Sequence, residues 1–289
     1  MAAVDDYRLR ESPFRTHSLL ERPRKMQADG FEWDHEIRVA LPRSYSRTET
    51  RYPVLWILDN TLEVGLLAAE RMAFHTRLVP EMIVVSIGCD LTEITWEEFL
   101  ARRTFEFSPA EFEVADAGAE YIRKWHETGP TMAVGGAGRF LDFLVDVVRP
   151  QLASEYRMDP DDHCIAGHSG GGMFVSFALF ARPGAFKRYI CGSPSISKAI
   201  FDLEAEYAKD HDDLPAHVFF GAGEGEMTEG GAISALGLLS SMARMVEILT
   251  LREYPSLHMT AKIFPEETHG TLLPQQFAWG LRSVFAEHR

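Results

Sequence analysis

The sequence contains few cysteines, with 3 among 289 residues. Cys89, Cys164 and Cys191 each lie in or beside an apolar run. Their number is odd, and their spacing is not that of zinc ligands. We therefore interpret them as small buried apolar side chains of a protein from a reducing compartment.

Positive charge is also scarce, because 29 lysines and arginines face 43 aspartates and glutamates, for a formal net charge of -14. This balance disfavours nucleic acid as a partner, since binding to phosphates requires clustered basic side chains. It equally gives no support to an anionic membrane surface. No histidine–glutamate cluster with metal-ligand spacing occurs, so we expect neither a metal nor another cofactor.

Long hydrophobic runs are absent as well. No stretch reaches the roughly 18–20 consecutive apolar residues of a membrane span. The segment that follows Met1 lacks the apolar core of a signal peptide. From these two absences we expect no membrane partner and a cytoplasmic location.

Hydrophobic residues make up 46% of the chain and charged residues 25%, which suffices for a substantial core. The runs at 52–58 and 81–88 are largely apolar, as in parallel strands buried on both faces, and a helical pattern separates them. Residues 31–41 instead alternate apolar and polar side chains, which indicates antiparallel strands near the N-terminus. We therefore predict one α/β domain over residues 1–289, with a mostly parallel, doubly wound sheet.

Residues 90–138 interrupt this alternation of strands and helices. They are rich in aromatic side chains and show no clear periodicity, which is typical of a cap or a substrate-binding excursion. Within this segment Arg103, Phe105 and Trp125 are our candidate substrate-binding residues. Two alternatives stay open: the aromatics could pack on one another in a surface insertion, or they could form the contact of a homodimer.

The most informative stretch is the Gly-x-Ser-x-Gly pattern around Ser169. A strand-like apolar run precedes it, and an apolar helical run at residues 173–180 follows it. This is the arrangement of a nucleophile elbow, in which a sharp turn from strand to helix exposes a serine. Gly167 and Gly171 lack a Cβ and so allow the strand and the helix to approach closely. The pattern predicts Ser169 as a nucleophile.

A serine hydroxyl is a weak nucleophile at neutral pH and requires a base. His269 is our candidate, because it follows the last predicted strand and so lies at the carboxyl edge of the sheet, as Ser169 does. His258, at the start of that strand, and His288, near the chain terminus, are not placed at this edge. The order of serine, acid and histidine along the chain is that of α/β hydrolases.

The acid that orients the base is harder to assign. We favour Glu224, which follows the predicted strand at 216–221. Glu226 is an alternative two residues later, and Asp202 is a further one. A serine–histidine dyad without an acid also stays open.

An oxyanion formed from an acyl carbonyl requires two N–H donors. The amide of Gly170, directly after the serine, is one candidate. The other is the amide of Thr61, in the loop that follows the strand at 52–58. A backbone donor depends little on the type of side chain, so these two assignments rest on position.

Together these stretches resemble the esterase branch of the α/β-hydrolase superfamily, which includes the salmochelin and enterobactin esterases. S-formylglutathione hydrolases and mycolyltransferases are more distant relatives of that branch. The resemblance is carried, in chain order, by residues 52–59, 103–109, 165–171, 189–195, 221–224 and 269–270. It implies the α/β-hydrolase fold, an ester substrate, Ser169 as nucleophile and His269 as base. It also places the second oxyanion donor at Thr61.

The predicted function is therefore that of a serine carboxylesterase that hydrolyses a small-molecule ester through an acyl-enzyme on Ser169. An acyltransferase with the same residues is one alternative, because residue types do not show whether water or another hydroxyl accepts the acyl group. A catalytically idle binding protein on a hydrolase fold is the other. Catecholate siderophores are anionic, and an acidic chain with Thr61 in place of an arginine does not favour them.

Overall fold

One mixed sheet organises the computed structural model, which describes residues 20–59, 62–109 and 133–286. The strands are β1 Arg24–Gln27, β2 Asp34–Ala40, β3 Tyr52–Ile57, β4 Ile83–Gly88, β5 Met158–His168, β6 Arg188–Gly192, β7 Ala216–Gly223 and β8 Leu257–Phe264. Across the sheet they lie in the order β1-β2-β4-β3-β5-β6-β7-β8. The pairs β1–β2 and β2–β4 are antiparallel, and the other pairs are parallel. The predicted fold class, a mostly parallel sheet with antiparallel N-terminal strands, is confirmed.

Helices surround this sheet and alternate with its parallel strands. They are α1 Leu62–Arg71, α2 Trp96–Phe107, α3 Ala137–Asp142, α4 Arg149–Glu155, α5 Gly170–Ala181, α6 Lys198–Asp210, α7 Gly231–Ala235, α8 Leu238–Arg252 and α9 Leu273–Val284. A π-helical segment, Phe143–Val148, joins α3 to α4. A 3-10 turn, Glu224–Met227, follows β7 directly.

The aromatic-rich segment predicted at 90–138 is partly a regular helix. Helix α2 begins with a capping box, in which Glu98 N–H donates to Thr95 Oγ1 at 3.2 Å and Thr95 N–H donates to Glu98 Oε2 at 2.8 Å. Thr95-x-x-Glu98 is a recognisable start signal, and the sequence prediction missed it. Residues 110–132, which include Trp125, lie outside the described part of the chain.

Strand β3 shows how the core is built on both faces of the sheet. Val54 and Trp56 enter one apolar cluster, whereas Leu55 and Ile57 enter a second one. All four side chains are fully buried. Successive side chains of a strand point to opposite faces, so this strand needs apolar residues at every position.

Three neighbouring strands end side by side at the carboxyl edge of the sheet. His168 of β5 lies opposite Gly192 of β6, which in turn lies opposite Gly221 of β7. The loops that follow these strands therefore meet at one place. Strand β5 ends one residue before α5 begins, which leaves only Ser169 between them.

Residues Ile233–Arg252 are, by length and composition, apolar enough to cross a membrane. In the sequence, polar side chains interrupt these residues, so they do not form one continuous apolar run. In the structure they form α7 and α8, and Leu238, Met242, Met245 and Leu249 recur along one buried side of α8. Helix α8 packs against β7 with this side, as an amphipathic core helix does.

Candidate active site

Ser169 occupies the turn between β5 and α5 in a strained backbone conformation. Its φ is 59° and its ψ is -121°, values that a non-glycine residue rarely adopts. Ser169 N–H donates to Gly192 O at 2.9 Å, which ties the turn to the neighbouring strand. A Cβ at Gly167 would lie 2.3 Å from Gly171 O, so the strand and the helix cross too closely for any side chain there. These are the features of a nucleophile elbow.

Gly170 is the first residue of α5, and its N–H therefore has no acceptor within the helix. The helix N-terminus carries a partial positive charge next to Ser169. Both properties suit an oxyanion that develops beside the serine. Thr61, the second predicted donor, lies outside the described residues.

His269 lies in the loop between β8 and α9 and is held from two sides. Its Nδ1 is 2.7 Å from Glu226 Oε1, and its backbone N–H donates to Glu229 Oε2 at 2.8 Å. The side chain of His269 is 16% exposed, whereas that of Glu226 is 1% exposed. An ionised carboxylate only accepts hydrogen bonds, so Nδ1 carries the hydrogen of this bond, and the neutral imidazole is the tautomer in which Nε2 is the acceptor.

The preferred assignment of Glu224 as the orienting acid is wrong, and the alternative Glu226 takes that position. Strand β7 extends to Gly223, two residues beyond its predicted end, and a 3-10 turn follows. The turn directs Glu226 into the protein and leaves Glu224 exposed, where its Oε2 accepts the N–H of Glu266 at 3.1 Å. Asp202 is also exposed and pairs with Lys198.

Glu226 receives two further hydrogen bonds in its buried position. Ser193 Oγ donates to Oε1 at 2.6 Å, and Gly223 N–H donates to Oε2 at 3.2 Å. Burial by itself would raise the pKa of Glu226, but the hydrogen bonds from His269 and Ser193 outweigh it and hold that pKa below its ordinary value. The carboxylate is therefore ionised at neutral pH and can stabilise a positive charge on His269.

His168, directly before the elbow serine, lies against the candidate base. The centroid of its ring is 4.5 Å from that of His269. Burial, and then the charge of His269, lowers the pKa of His168 to about 4. His168 is therefore neutral at neutral pH and adds no positive charge beside His269.

Arg103 reaches the elbow from α2, but its charge is already paired. Its Nε and Nη2 donate to the two carboxylate oxygens of Asp59 at 2.7 Å and 2.6 Å. Arg103 Nη1 would lie 3.0 Å from a Cβ at Gly170, so the guanidinium borders the first residue of α5. Asp59 follows β3 with a φ of 62°, a left-handed conformation in which it faces the guanidinium. The bidentate pair neutralises this corner of the site.

The family described as "Putative esterase" matches residues 28–249, which is most of the chain. The chain belongs to this esterase family. In its fold it is also similar to the BES protein from Bacillus cereus, whose crystal structure superimposes with a TM-score of 0.75 at 22% identity over 93% of this chain and 96% of that one.

Two relatives of this chain are named for the substrate of an esterase. The chain is 31% identical to the ferri-bacillibactin esterase BesA of Bacillus subtilis over 150 residues, which are 50% of this chain and 48% of that protein. It is 31% identical to the siderophore triacetylfusarinine C esterase of Aspergillus fumigatus over 166 residues, 55% of this chain and 51% of that protein. The chain thus spans about half the length of each of these two relatives.

Phe105 is a predicted substrate-binding residue, and in the structure it packs among aromatic side chains. Its ring packs 5.4 Å from that of Phe31 and 6.0 Å from that of Trp33, with the Arg139 guanidinium 5.2 Å away. Positions two apart in a helix point in very different directions, so Phe105 cannot share the orientation of Arg103. The structure therefore does not place Phe105 beside Arg103 at the elbow, and its role in substrate binding stays a prediction, as does that of Trp125, which lies outside the described residues.

Three aromatic residues share the side of α2 on which Arg103 lies. The Arg103 guanidinium is 6.0 Å from the ring of Phe99 and 5.4 Å from that of Phe107. The ring of Trp96 lies 5.2 Å from that of Phe99, and Trp96 is 62% exposed. This spacing of three and four residues was present in the sequence and could have identified the helix.

Ser193 is the site residue that sequence reasoning missed. It follows β6 with a φ of 42° and is fully buried beside Glu226. The only sequence signal was its place in the motif at 189–195, which carried the family resemblance without indicating a contact. Over the described ranges, no group of three or more histidine, cysteine, aspartate or glutamate side chains lies close enough to hold a metal ion.

Proposed function

We propose that the protein is a serine carboxylesterase that hydrolyses a small-molecule ester through an acyl-enzyme on Ser169. The observation that carries this proposal is the buried Glu226 carboxylate on Nδ1 of His269, in the loop that meets the nucleophile elbow. A carboxylate in this position fixes the tautomer whose Nε2 can accept a proton.

In the proposed first step, Ser169 Oγ attacks the acyl carbonyl and gives its proton to His269 Nε2. The imidazolium is stabilised by Glu226 and then donates that proton to the departing alcohol, which leaves the acyl group on Ser169. Water attacks the acyl-enzyme in the second step and gives a proton to His269. Collapse of the second intermediate returns the proton to Ser169 and releases the carboxylic acid.

The proposed oxyanion site uses the N–H of Gly170 at the start of α5. Its second donor is the N–H of Thr61, in the loop after β3. A donor amide held in a fixed position stabilises the negative charge of the tetrahedral intermediate more than that of the ground-state carbonyl. The position of Gly170 beside the strained Ser169 supports the first of these two assignments.

The proposed substrate is a neutral or weakly charged ester. Two relatives are named for siderophore esters, which supports a small molecule as the substrate class. The Asp59 carboxylate pairs with Arg103 at the elbow, so this guanidinium offers no unpaired charge to an anionic substrate. We further propose a cytoplasmic location, which the three buried free cysteines support.

The test is hydrolysis of short p-nitrophenyl esters by the wild type and by Ser169→Ala. We expect kcat/KM to fall by at least about 1000-fold, because the variant has no nucleophile. Ser154→Ala is the matched control, since Ser154 is exposed in α4 and its hydroxyl donates to Gln151 O of the same helix. Activity that persists in folded Ser169→Ala would refute the mechanism.

The same assay with added alcohols separates the two enzymatic alternatives. A hydrolase yields free acid at every alcohol concentration, whereas an acyltransferase yields a new ester in proportion to the added alcohol. A catalytically idle binding protein would show neither product, and Ser169 would not react with a fluorophosphonate.

A further inference from the structure

Gln276 connects the helix that follows the His269 loop to strand β5, which ends directly before Ser169. It lies in α9, the helix that follows the His269 loop, and is fully buried. Its Nε2 donates to Gly167 O at 3.0 Å, and its Oε1 lies 2.7 Å from His168 Nδ1. One side chain thus contacts the last two residues of β5.

The hydrogen positions in this contact follow from its chemistry. Gly167 O only accepts, so the amide nitrogen of Gln276 faces it and the amide oxygen faces His168. His168 Nδ1 therefore carries the hydrogen, and Nε2 is unprotonated. In the described part of the chain, Nε2 is buried without a hydrogen-bond partner. Gln276 thus sets both the tautomer and the orientation of the ring that His269 packs against.

Gly192 provides the space in which the Gln276 amide lies. A Cβ at Gly192 would be 1.7 Å from Oε1 and 2.1 Å from Nε2 of Gln276. Gly192 is not among the residues with positive φ, so its backbone conformation would accept alanine. The buried Gln276 amide therefore requires a residue without a side chain at position 192.

We propose that Gln276 is a positioning residue for the base. It fastens α9, and with it the His269 loop, to the nucleophile elbow, and it holds the His168 ring against which His269 packs. This inference rests on the proposed function, because it assigns a role in bringing His269 to Ser169. Gln276 acts through His168 and contacts neither the substrate nor the reacting atoms.

The experiment is a double-mutant cycle on kcat and KM with p-nitrophenyl esters. Gln276→Ala should lower kcat by about 10- to 100-fold and leave KM within about twofold, because it displaces the base without changing ester binding. Gly192→Ala should cause a similar loss, because its methyl group expels the same amide. In the double variant the methyl group occupies the vacated space, so kcat should be no lower than in the worse single variant.

The matched control is Gln275→Ala, since Gln275 is the exposed neighbour in the same helix and pairs with Glu267. It should keep the wild-type kcat. If Gln276→Ala does not fold, Gln276→Met fills a similar volume without the hydrogen bonds and takes its place in the kcat and KM comparison.

Three results would overturn the inference: an unchanged kcat in Gln276→Ala, a rise in KM at constant kcat, or losses that multiply in the double variant. Ser169→Ala is measured alongside. An active Ser169→Ala refutes the proposed function itself. An inactive Ser169→Ala together with a fully active Gln276→Ala refutes only the role of Gln276.

Discussion

Among the described residues, two histidine–glutamate pairs with a buried carboxylate have nearly the same local geometry. In one, His269 Nδ1 is 2.7 Å from Glu226 Oε1, and in the other, His35 Nε2 is 2.9 Å from Glu106 Oε1. Each Oε1 also accepts a second hydrogen bond, from Ser193 Oγ at 2.6 Å in the first pair and from Trp33 Nε1 at 2.6 Å in the second.

The two pairs differ in what surrounds the histidine. His269 is partly exposed at the carboxyl edge of the sheet, beside the elbow. The side chain of His35 is 1% exposed, and its ring packs within 5.3 Å of Phe31, Phe140 and Phe143. The second pair links β2 to α2, the helix that carries Arg103. A histidine–carboxylate pair therefore identifies a catalytic site only when the second ring nitrogen can reach a nucleophile.

The largest expected effect is the difference in kcat between variants of the two carboxylates. Glu226→Gln should lower kcat by about 100- to 10,000-fold, because the neutral amide neither fixes the His269 tautomer nor stabilises the imidazolium. Glu106→Gln should leave kcat within about threefold, because Glu106 contacts no group of the proposed mechanism. Steady-state hydrolysis of a p-nitrophenyl ester measures both. Equal losses of kcat in the two variants would contradict the assignment of a catalytic role to Glu226 alone.

Removal of Ser193 Oγ should have an intermediate effect. Ser193→Ala should lower kcat by about 10-fold, because a buried carboxylate loses one charge-assisted hydrogen bond. It should also raise the pKa of Glu226, so that activity is lost at a higher pH on acidification.

Ser193→Gly separates the hydroxyl from the strained backbone, because glycine adopts the φ of 42° without cost. We expect the same loss of kcat as in Ser193→Ala, with higher stability. Full activity in Ser193→Gly would show that the hydroxyl plays no part.

A substitution in the His35–Glu106 pair should lower the stability of the protein. Glu106→Gln should lower the free energy of unfolding by about 1–3 kcal/mol, since an amide oxygen accepts the hydrogen bonds from Trp33 and His35 more weakly than a carboxylate does. Urea unfolding measures this, with Glu97→Gln, exposed on the same helix, as the control. An unchanged midpoint would contradict the structural role of Glu106.

The smallest effect concerns His163, a buried histidine that accepts a hydrogen bond from an indole. Burial, and then the charge of Arg149, lowers the pKa of His163 to about 3, and Trp56 Nε1 donates to its Nδ1 at 3.0 Å. An unfolded histidine has a pKa of about 6.5, so the unfolded chain binds more protons as the pH falls below that value. Stability is therefore lost on acidification from about pH 6.5 downward.

His163→Gln keeps an acceptor for Trp56 and removes the titration. Its free energy of unfolding should fall less steeply than that of the wild type between pH 7 and pH 5, by about 1 kcal/mol per pH unit. Urea unfolding at the two pH values measures the slopes. Parallel slopes would show that His163 is not held neutral.

The sequence predicted the sheet and the elbow because both depend on local patterns. Apolar runs mark the parallel strands, and Gly167-x-Ser169 precedes an apolar helix. The choice between Glu224 and Glu226 depended instead on where β7 ends, and two additional strand residues changed which carboxylate faces His269. Composition and periodicity do not locate the end of a strand to within two residues.

The contacts of Ser193 and Gln276 could not be predicted for a different reason. Each reaches its partner across the fold, Ser193 to Glu226 and Gln276 to His168. In each contact the two residues are far apart in the sequence, so no helical or strand periodicity relates them. The register of β5, β6 and β7, together with the packing of α9 against β6 and β7, brings them together.

The most direct test of the central claim is reaction of the protein with a fluorophosphonate, followed by peptide mass spectrometry. We expect one adduct on Ser169 in the wild type, formed much more slowly in Glu226→Gln and at the wild-type rate in Glu224→Gln and Glu106→Gln. An adduct on another residue, or equal rates in Glu226→Gln and Glu224→Gln, would contradict it.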